Sequence, residues 1–416
     1  MTLIKLPPAL RAFRYYNFRL YFSGQAISLI GTWMQRIAVS WLVYNLTHSA
    51  FMLGLVAFAG QIPILLFSPY AGAYVDRHSR YKTLLFTQVA SMIQAGLLAI
   101  VVWNGSYNVT IIILLSILLG IVNAFDTPSR QSFMILLVED KSHLPNAIAL
   151  NSTMVTLARL LGPAVAGILL SSYGEDVCFL INFLSFIAVI VSLLFMKLNM
   201  PVRPKNTEPI WIGLRAGYNY IKDDVGLRSV VFLTAAMSLL VMPYTTLLPV
   251  YAASVFKGDV TTFSWLNSIS GLGALLGAVY MATRKAGSKY LRIIAYSVLI
   301  FSVGLIVFSY TKNFTLALFF LMIAEAGLLT EISASNTYIQ THVDEHMRGR
   351  VISYYVMAFM GMQPIGGLLI GSLAHFTSTP FTVLVEGVCG VTAGLLFIPV
   401  LKKVRRSRIN KKAAVA

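Results

Sequence analysis

Residues Gly72–Lys82 read GAYVDRHSRYK: one acid, three basic residues and a histidine, following a run, residues 50–75, without a single charged side chain. A helix needs about 20 apolar residues to cross a hydrocarbon core of about 30 Å. Residues 50–75 are long enough, so the charged tract marks the place where a span leaves the membrane. Arginine and lysine suit that boundary on the cytoplasmic side. The acid, Asp76, needs a separate reason, because a carboxylate at a membrane boundary is costly unless something pairs with it.

The rest of the chain repeats this grammar. Of 416 residues 57% are hydrophobic and only 11% are charged, too little charge to wet the surface of a soluble domain. Long apolar runs occur at 18–46, 50–75, 83–103, 108–127, 146–171, 177–197, 229–256, 262–283, 290–310, 314–338, 350–375 and 380–401. They lack the alternating pattern of barrel strands and carry many of the 29 glycines, as expected where helices approach closely in lipid. The expected fold class is therefore an all-α polytopic membrane protein with 12 transmembrane helices.

A formal charge of +17 raises the question of nucleic acid, which its distribution answers. With the N-terminus inside, the inward-facing segments hold 28 of the 32 Lys and Arg residues. This is the positive-inside bias; the charge sets orientation and touches anionic headgroups, and no nucleic-acid partner is expected. The tail Lys402–Lys412 (KKVRRSRINKK) reads as a headgroup contact by the same logic. The first residues have no apolar core followed by a cleavage site, so no secretory signal is read there. Cys178 and Cys389 stand at no metal-ligand spacing, so neither a disulfide framework nor a metal site is indicated.

The longest polar stretch, 198–228, divides the spans six and six. This predicts an N-terminal six-helix bundle over 1–197, a cytoplasmic linker over 198–228 and a C-terminal bundle with a basic tail over 229–416. Ile210, Leu214, Tyr218 and Ile221 lie at helical spacing in the linker with Arg215, Lys222 and Asp223 between them, predicting an amphipathic helix on the inner surface. The halves echo one another: GAYVDRHSR at Gly72 returns as GAVYMATRK at Gly277, and RLLGPAVAG (Arg159–Gly167) as GMQPIGG (Gly361–Gly367). In the second copy Met281 replaces Asp76, while Arg284 and Lys285 remain. Parallel six-helix repeats are a transporter architecture.

These motifs resemble those of the major facilitator superfamily. GAYVDRHSRYK looks like its loop motif between helices 2 and 3, and Gly162, Pro163 and Gly167 resemble its antiporter motif on helix 5, with Ala166 replacing one glycine. FDTPSRQSF (Phe125–Phe133), LPNAIALNS (Leu144–Ser152) and RGRVISYYVMAFMGMQPIGG (Arg348–Gly367) resemble the exporter branch that includes the bacterial enterobactin exporter. The resemblance implies a fold of two six-helix bundles and a conformational latch made by Gly72, Asp76, Arg77, Arg80, Asp126, Arg130, Gly349 and Arg350. In it Asp76 would meet the partial positive charge at the start of helix 11, near Gly349 and Arg350, and Arg77 would reach Asp126.

Six charged groups fall within spans: Arg36, Asp126, Arg159, Glu325, Glu331 and Glu386. Each costs about 2.5–3.5 kcal/mol at a bilayer centre on insertion scales, so such groups normally face the protein interior. The superfamily lines its cavity with spans 1, 4, 7 and 10, which implies that Arg36, Glu325 and Glu331 lie near the path. Glu325 and Glu331 are six residues apart, about 120° around a helix, so one is expected to face the cavity and the other to pack against a neighbouring helix. They are the proton-coupling candidates, Glu325 first and Glu331 second, with a structural ion pair to Arg36 or Arg159 as the alternative. Arg159 has two readings, a substrate contact or an organiser of the halves. Glu386 is expected to be structural or near the outer surface. Gln35, Asn123, Tyr244 and Asn336, with Trp33, Gln340, Met34, Met237 and Met242, suit a bulky amphipathic substrate or simply core packing.

The resulting expectation is a proton-coupled exporter of a small amphipathic organic molecule, siderophore or drug-like, working by alternating access. It would be a monomer in the bacterial cytoplasmic (inner) membrane, with both termini cytoplasmic. A nutrient importer, or a membrane sensor or scaffold without transport, are the alternatives. The sequence holds no phosphate-binding loop and no nucleophile–histidine–acid set, so neither an enzyme nor a cofactor is expected.

Overall fold

The computed structural model describes residues 7–105, 107–197, 210–284 and 289–413, and among these no strand occurs. Lys285 and residues 198–209 lie outside the described residues, as do the side chains of Asp76 and of the tail beyond Val404. The helices are α1 (Tyr16–Thr47), α2 (Ala50–Arg77), α3 (Arg80–Trp103), α4 (Val109–Met134), α5 (Leu144–Tyr173), α6 (Glu175–Leu194), α7 (Ile210–Asp223), α8 (Val225–Leu240), the single turn α9 (Leu248–Val250), α10 (Val260–Ala282), α11 (Tyr290–Tyr310), α12 (Phe314–His342), α13 (Glu345–Phe376) and α14 (Thr379–Ala413). Twelve spans are long and apolar enough to cross a membrane, with α8, α9 and the turns around α9 making one of them.

Short polar side chains start the spans. Asn108 accepts from the Thr110 backbone N–H at 2.8 Å, Asp224 from that of Leu227 at 2.8 Å, Asp259 from those of Thr261 and Thr262 at 2.9 and 3.1 Å, and Asn313 from that of Leu316 at 3.1 Å. Each cap satisfies N–H groups that lack an intrahelical partner. Between α5 and α6 a single residue turns the chain, Gly174, at φ +92°, a conformation open to glycine and strained for other residues. Two helices run furthest past the expected ends of their spans: α4 continues through Pro128 to Met134, and α14 carries on to Ala413.

The chain separates into two compact units, residues 1–47 with 59–206, and residues 48–58 with 207–416. In the first, an amide clamp ties four helices together. Gln35 on α1 donates to Gln94 on α3 at 2.9 Å and accepts from Asn182 on α6 at 2.7 Å, while Gln94 donates to the Leu115 carbonyl of α4 at 3.2 Å. All three amide side chains are buried. Hydrogen bonds across membrane helices contribute on the order of 0.6–2 kcal/mol each, and leaving such an amide unpaired costs more. At Gly162 α5 meets α1 with no room for a side chain: a β-carbon there would lie 3.2 Å from the Ile30 carbonyl oxygen and 3.3 Å from the Met34 nitrogen. Gly162→Leu is expected to cost at least about 1–3 kcal/mol of packing, read as a lower yield of monodisperse protein in detergent size-exclusion chromatography.

In the second unit the span 225–255 is broken, where the sequence reads as one continuous run. Pro243 has no N–H to offer the Leu239 carbonyl four residues back. The helix ends at Leu240, and the chain passes through a 3-10 segment (Met242–Leu247), α9 and a π turn (Tyr251–Val255). Gly366 of α13 lies against that carbonyl, where a β-carbon would also come within 2.6 Å of the Pro243 ring. The helix expected in the linker is α7, which packs on α13: Tyr354 donates to the Leu214 carbonyl at 3.1 Å, and Gly217 and Ile221 are buried. Tyr218, placed on the apolar face by spacing, stays exposed, because Gly217 rather than Tyr218 is the position that lets α13 approach.

Candidate functional site

The charged tract opens on the last turns of α2. Gly72 has open space where a β-carbon would stand, and Arg77 is exposed. Ser79 caps α3, and Arg80 donates to the Ser132 carbonyl at 3.0 Å, tying the start of α3 to the end of α4. Asp126 is only 3% exposed. It accepts from Thr87 at 2.9 Å and from Gln88 at 2.6 Å, and it pairs with Arg130 one turn further along α4. The expected link between Arg77 and Asp126 is thus not the one the structure holds. A partner at helical spacing i,i+4 reaches the carboxylate without a change of element, and two α3 donors share its other oxygen. In the second unit Gly349 is exposed with open space where a β-carbon would stand, and Arg350 packs its Cβ against α7 at Gly217 and donates to the Met347 sulfur at 3.7 Å.

Farther into the membrane, the first unit brings two cations to one aromatic ring. The guanidinium carbon of Arg36 lies 4.7 Å from the Trp33 ring centroid, and that of Arg159 lies 6.0 Å from it. Gly162, on the next turn after Arg159, packs against Trp33, so the antiporter-like motif sets this meeting of α1 and α5. Pro163 and Gly167 are buried beside it. Gln35, expected on the substrate path, is instead consumed by the amide clamp, about 100° around α1 from the exposed Arg36. Asn123 is half-buried.

The second unit holds the acids. Glu325 is fully buried and accepts a hydrogen bond from the hydroxyl of Tyr244, in the 3-10 segment after the break. Glu331 is 1% exposed; one oxygen accepts from Ser335 at 2.9 Å, and the other has no partner among the described residues. The expectation that one acid faces open space therefore fails. The angular separation is as expected, but protein covers both directions: α10 and the 3-10 segment over Glu325, α13 over Glu331. Neither Glu331 nor Glu386 has an ion pair among the described residues. Glu386 is wholly enclosed, with no side-chain hydrogen-bond partner among the described residues and the Tyr244 backbone N–H close to its carboxyl. Asn336 is half-buried and accepts from Gln340 at 3.0 Å.

Two polar systems at membrane depth, an open basic one in the first unit and an enclosed acidic one in the second, suit a solute-moving membrane protein better than a packing scaffold. Residues 8–414 match the family of transmembrane secretion effectors. The chain belongs to that family, within the major facilitator superfamily. Similar family members include the staphyloferrin A transporter of Staphylococcus aureus, 26% identical over 93% of this chain and 97% of that one. Another is macrolide efflux protein A of Streptococcus pyogenes, 22% identical over 94% and 98%. A solved transporter of the POT family, in complex with 5-aminolevulinic acid, shares the fold at a TM-score of 0.75, with 12% identity over 94% of this chain and 97% of that one. This secretion effector is thus a multi-pass transporter of the bacterial inner membrane and not an enzyme.

Sequence reasoning missed the surroundings more than the residues. Thr87 and Gln88, which hold Asp126, and Gln94 and Asn182, which hold Gln35, are polar residues inside apolar runs, the signal that such groups find partners across helices. Pro243 was the available signal for the broken span. Nothing local distinguishes Glu386 from an acid near a span end.

Proposed function

We propose that this secretion effector is a proton-coupled exporter of a small amphipathic organic molecule, working by alternating access as a monomer with both termini in the cytoplasm. The observation that carries the reading is Glu331: a carboxyl enclosed at membrane depth with one oxygen unpartnered and no cation paired to it. Such a group is neutralised by a proton where a structural acid would be neutralised by an arginine. Glu325, which accepts the hydrogen bond of the Tyr244 hydroxyl, is the second candidate. Access that alternates between the two faces would load and unload these acids in turn. Export, rather than import, is supported by relatives named for efflux and for staphyloferrin A transport. The Gly72–Lys82 tract would serve as the conformational latch, and its basic residues and the tail would rest on anionic headgroups.

The test uses inside-out vesicles containing the full chain, with an inward-acidic gradient and candidate siderophores and macrolides supplied outside. Gradient-dependent uptake that a protonophore abolishes is the expected result, and Asp76→Asn is expected to slow it without reducing the protein in the membrane. Uptake indifferent to the gradient for every compound would overturn the coupling. Uptake only in right-side-out vesicles would make the chain an importer.

A further inference from the structure

We infer that the Arg36–Trp33–Arg159 cluster of the first unit is an organic-anion site, and that the transported molecule carries carboxylate groups. The inference rests on the transport reading above and adds the substrate's charge to it.

Arg36 stands 11 residues before the end of α1 and Arg159 14 before the end of α5, about 16 and 21 Å along helices that rise about 1.5 Å per residue. Both lie near the middle of a hydrocarbon core of about 30 Å. Arg36 is nevertheless exposed. An arginine exposed to lipid at that depth is strongly disfavoured, so its open surface faces an aqueous space. The face of α1 that carries Trp33, Arg36 and Ser40 is left partly open, while Gly31, Met34, Gln35 and Ala38 are buried.

Charge supplies the next step. Among the described residues Arg36 has no hydrogen bond or ion pair; its neighbours are the Trp33 ring and a second cation, Arg159, close enough to repel it. Like charges gathered in a low-dielectric setting raise the energy of the empty site and lower that of a site holding an anion. The indole fixes the guanidinium through cation–π attraction, so little side-chain freedom remains to be lost on binding. A guanidinium presents a planar fork of donors that matches a carboxylate in two parallel hydrogen bonds. The Arg36 fork beside an indole ring suits a molecule with a carboxylate and a flat or apolar body. An organic cation meets repulsion at the same place.

The test uses purified full-length protein in nanodiscs and two dyes built on one ring system, the anion carboxyfluorescein and the cation rhodamine 6G, with binding read by fluorescence anisotropy in the absence of any gradient. Binding of the anion at least about tenfold tighter than the cation is expected. Arg36→Gln and Arg159→Gln are each expected to weaken it about tenfold or more, the loss of one charge-assisted contact, with Arg36→Lys intermediate. Equal or tighter binding of the cation to wild-type protein would overturn the inference, and this comparison needs no variant to fold. Unchanged anion binding in both folded glutamine variants would overturn it too, as would displacement of the dye by chloride with no effect of a tricarboxylate. Because no gradient is present, tight anion binding without proton-driven flux would count against the coupled-transport reading alone. Gradient-driven flux of rhodamine 6G without anion binding would sink only the anion site.

Discussion

Glu331→Gln is expected to lower gradient-driven transport at least about tenfold, while exchange of labelled for unlabelled substrate at equal pH stays within about twofold of wild type. Glutamine has nearly the shape of a protonated glutamic acid, and its carbonyl oxygen can keep the hydrogen bond from Ser335 that the carboxyl accepts at 2.9 Å. The enclosing contact from α13, where Tyr355 donates to the Ile332 carbonyl at 3.0 Å, does not involve the carboxyl. The fold is therefore retained and only the ability to give up a proton is lost. A tenfold change corresponds to about 1.4 kcal/mol, well below what an uncompensated carboxylate costs at this depth. Glu325→Gln is the parallel case, with the Tyr244 hydroxyl still able to donate to the amide oxygen. Coupling that survives both substitutions would remove these acids from the mechanism and leave Glu386 as the enclosed carboxyl to test next.

Arg130→Ala is expected to destabilise the first unit by about 3–5 kcal/mol, the cost of stranding a buried charge by removing its partner. Asp126 is the group at risk: its side chain is 5% exposed against 25% for that of Arg130. Without the cation, the carboxylate keeps Thr87 and Gln88 as donors but no opposite charge. Asp126→Asn is expected to cost less, because the partly exposed arginine can turn its head toward water. Combining Asp126→Asn with Arg130→Gln should recover most of the loss, since a neutral pair carries no stranded charge. For a body of 150–250 residues each kcal/mol moves the thermal midpoint by about 2–4 °C, so Arg130→Ala should lower it by about 6–20 °C in a fluorescence-detected melt. Equal losses from Arg130→Ala and from the double substitution would show that Asp126 is not the stranded group.

What the sequence made legible follows from the length scale of each signal. Membrane spans are long and chemically uniform, so composition alone places them, and Asp224, Asp259 and Asn313 mark starts because a cap is a local interaction. The site was legible as a list of residues, since a charge inside an apolar run is conspicuous. Its wiring was not. Arg77 and Arg130 are equally near Asp126 in type, and only the α4 turn and the α3 donors decide which one pairs. Gln35 looked like a cavity residue because its two partners are 59 and 147 positions away. The positions of Glu325 and Glu331 around α12 were predictable to the right angle, yet what covers each face depends on helices elsewhere in the chain.

That last distance also constrains how the protein is made. Asn182 leaves the ribosome 147 residues after Gln35, roughly 7–30 s later at about 5–20 residues per second. Until then Gln35 can pair only with Gln94, which also reaches the Leu115 carbonyl, and the Gln35 carbonyl oxygen sits in the bilayer still unclaimed. Biogenesis of the first six spans is thus expected to finish as a single late event, with the early helices held beside the insertion machinery until the sixth arrives to lock them.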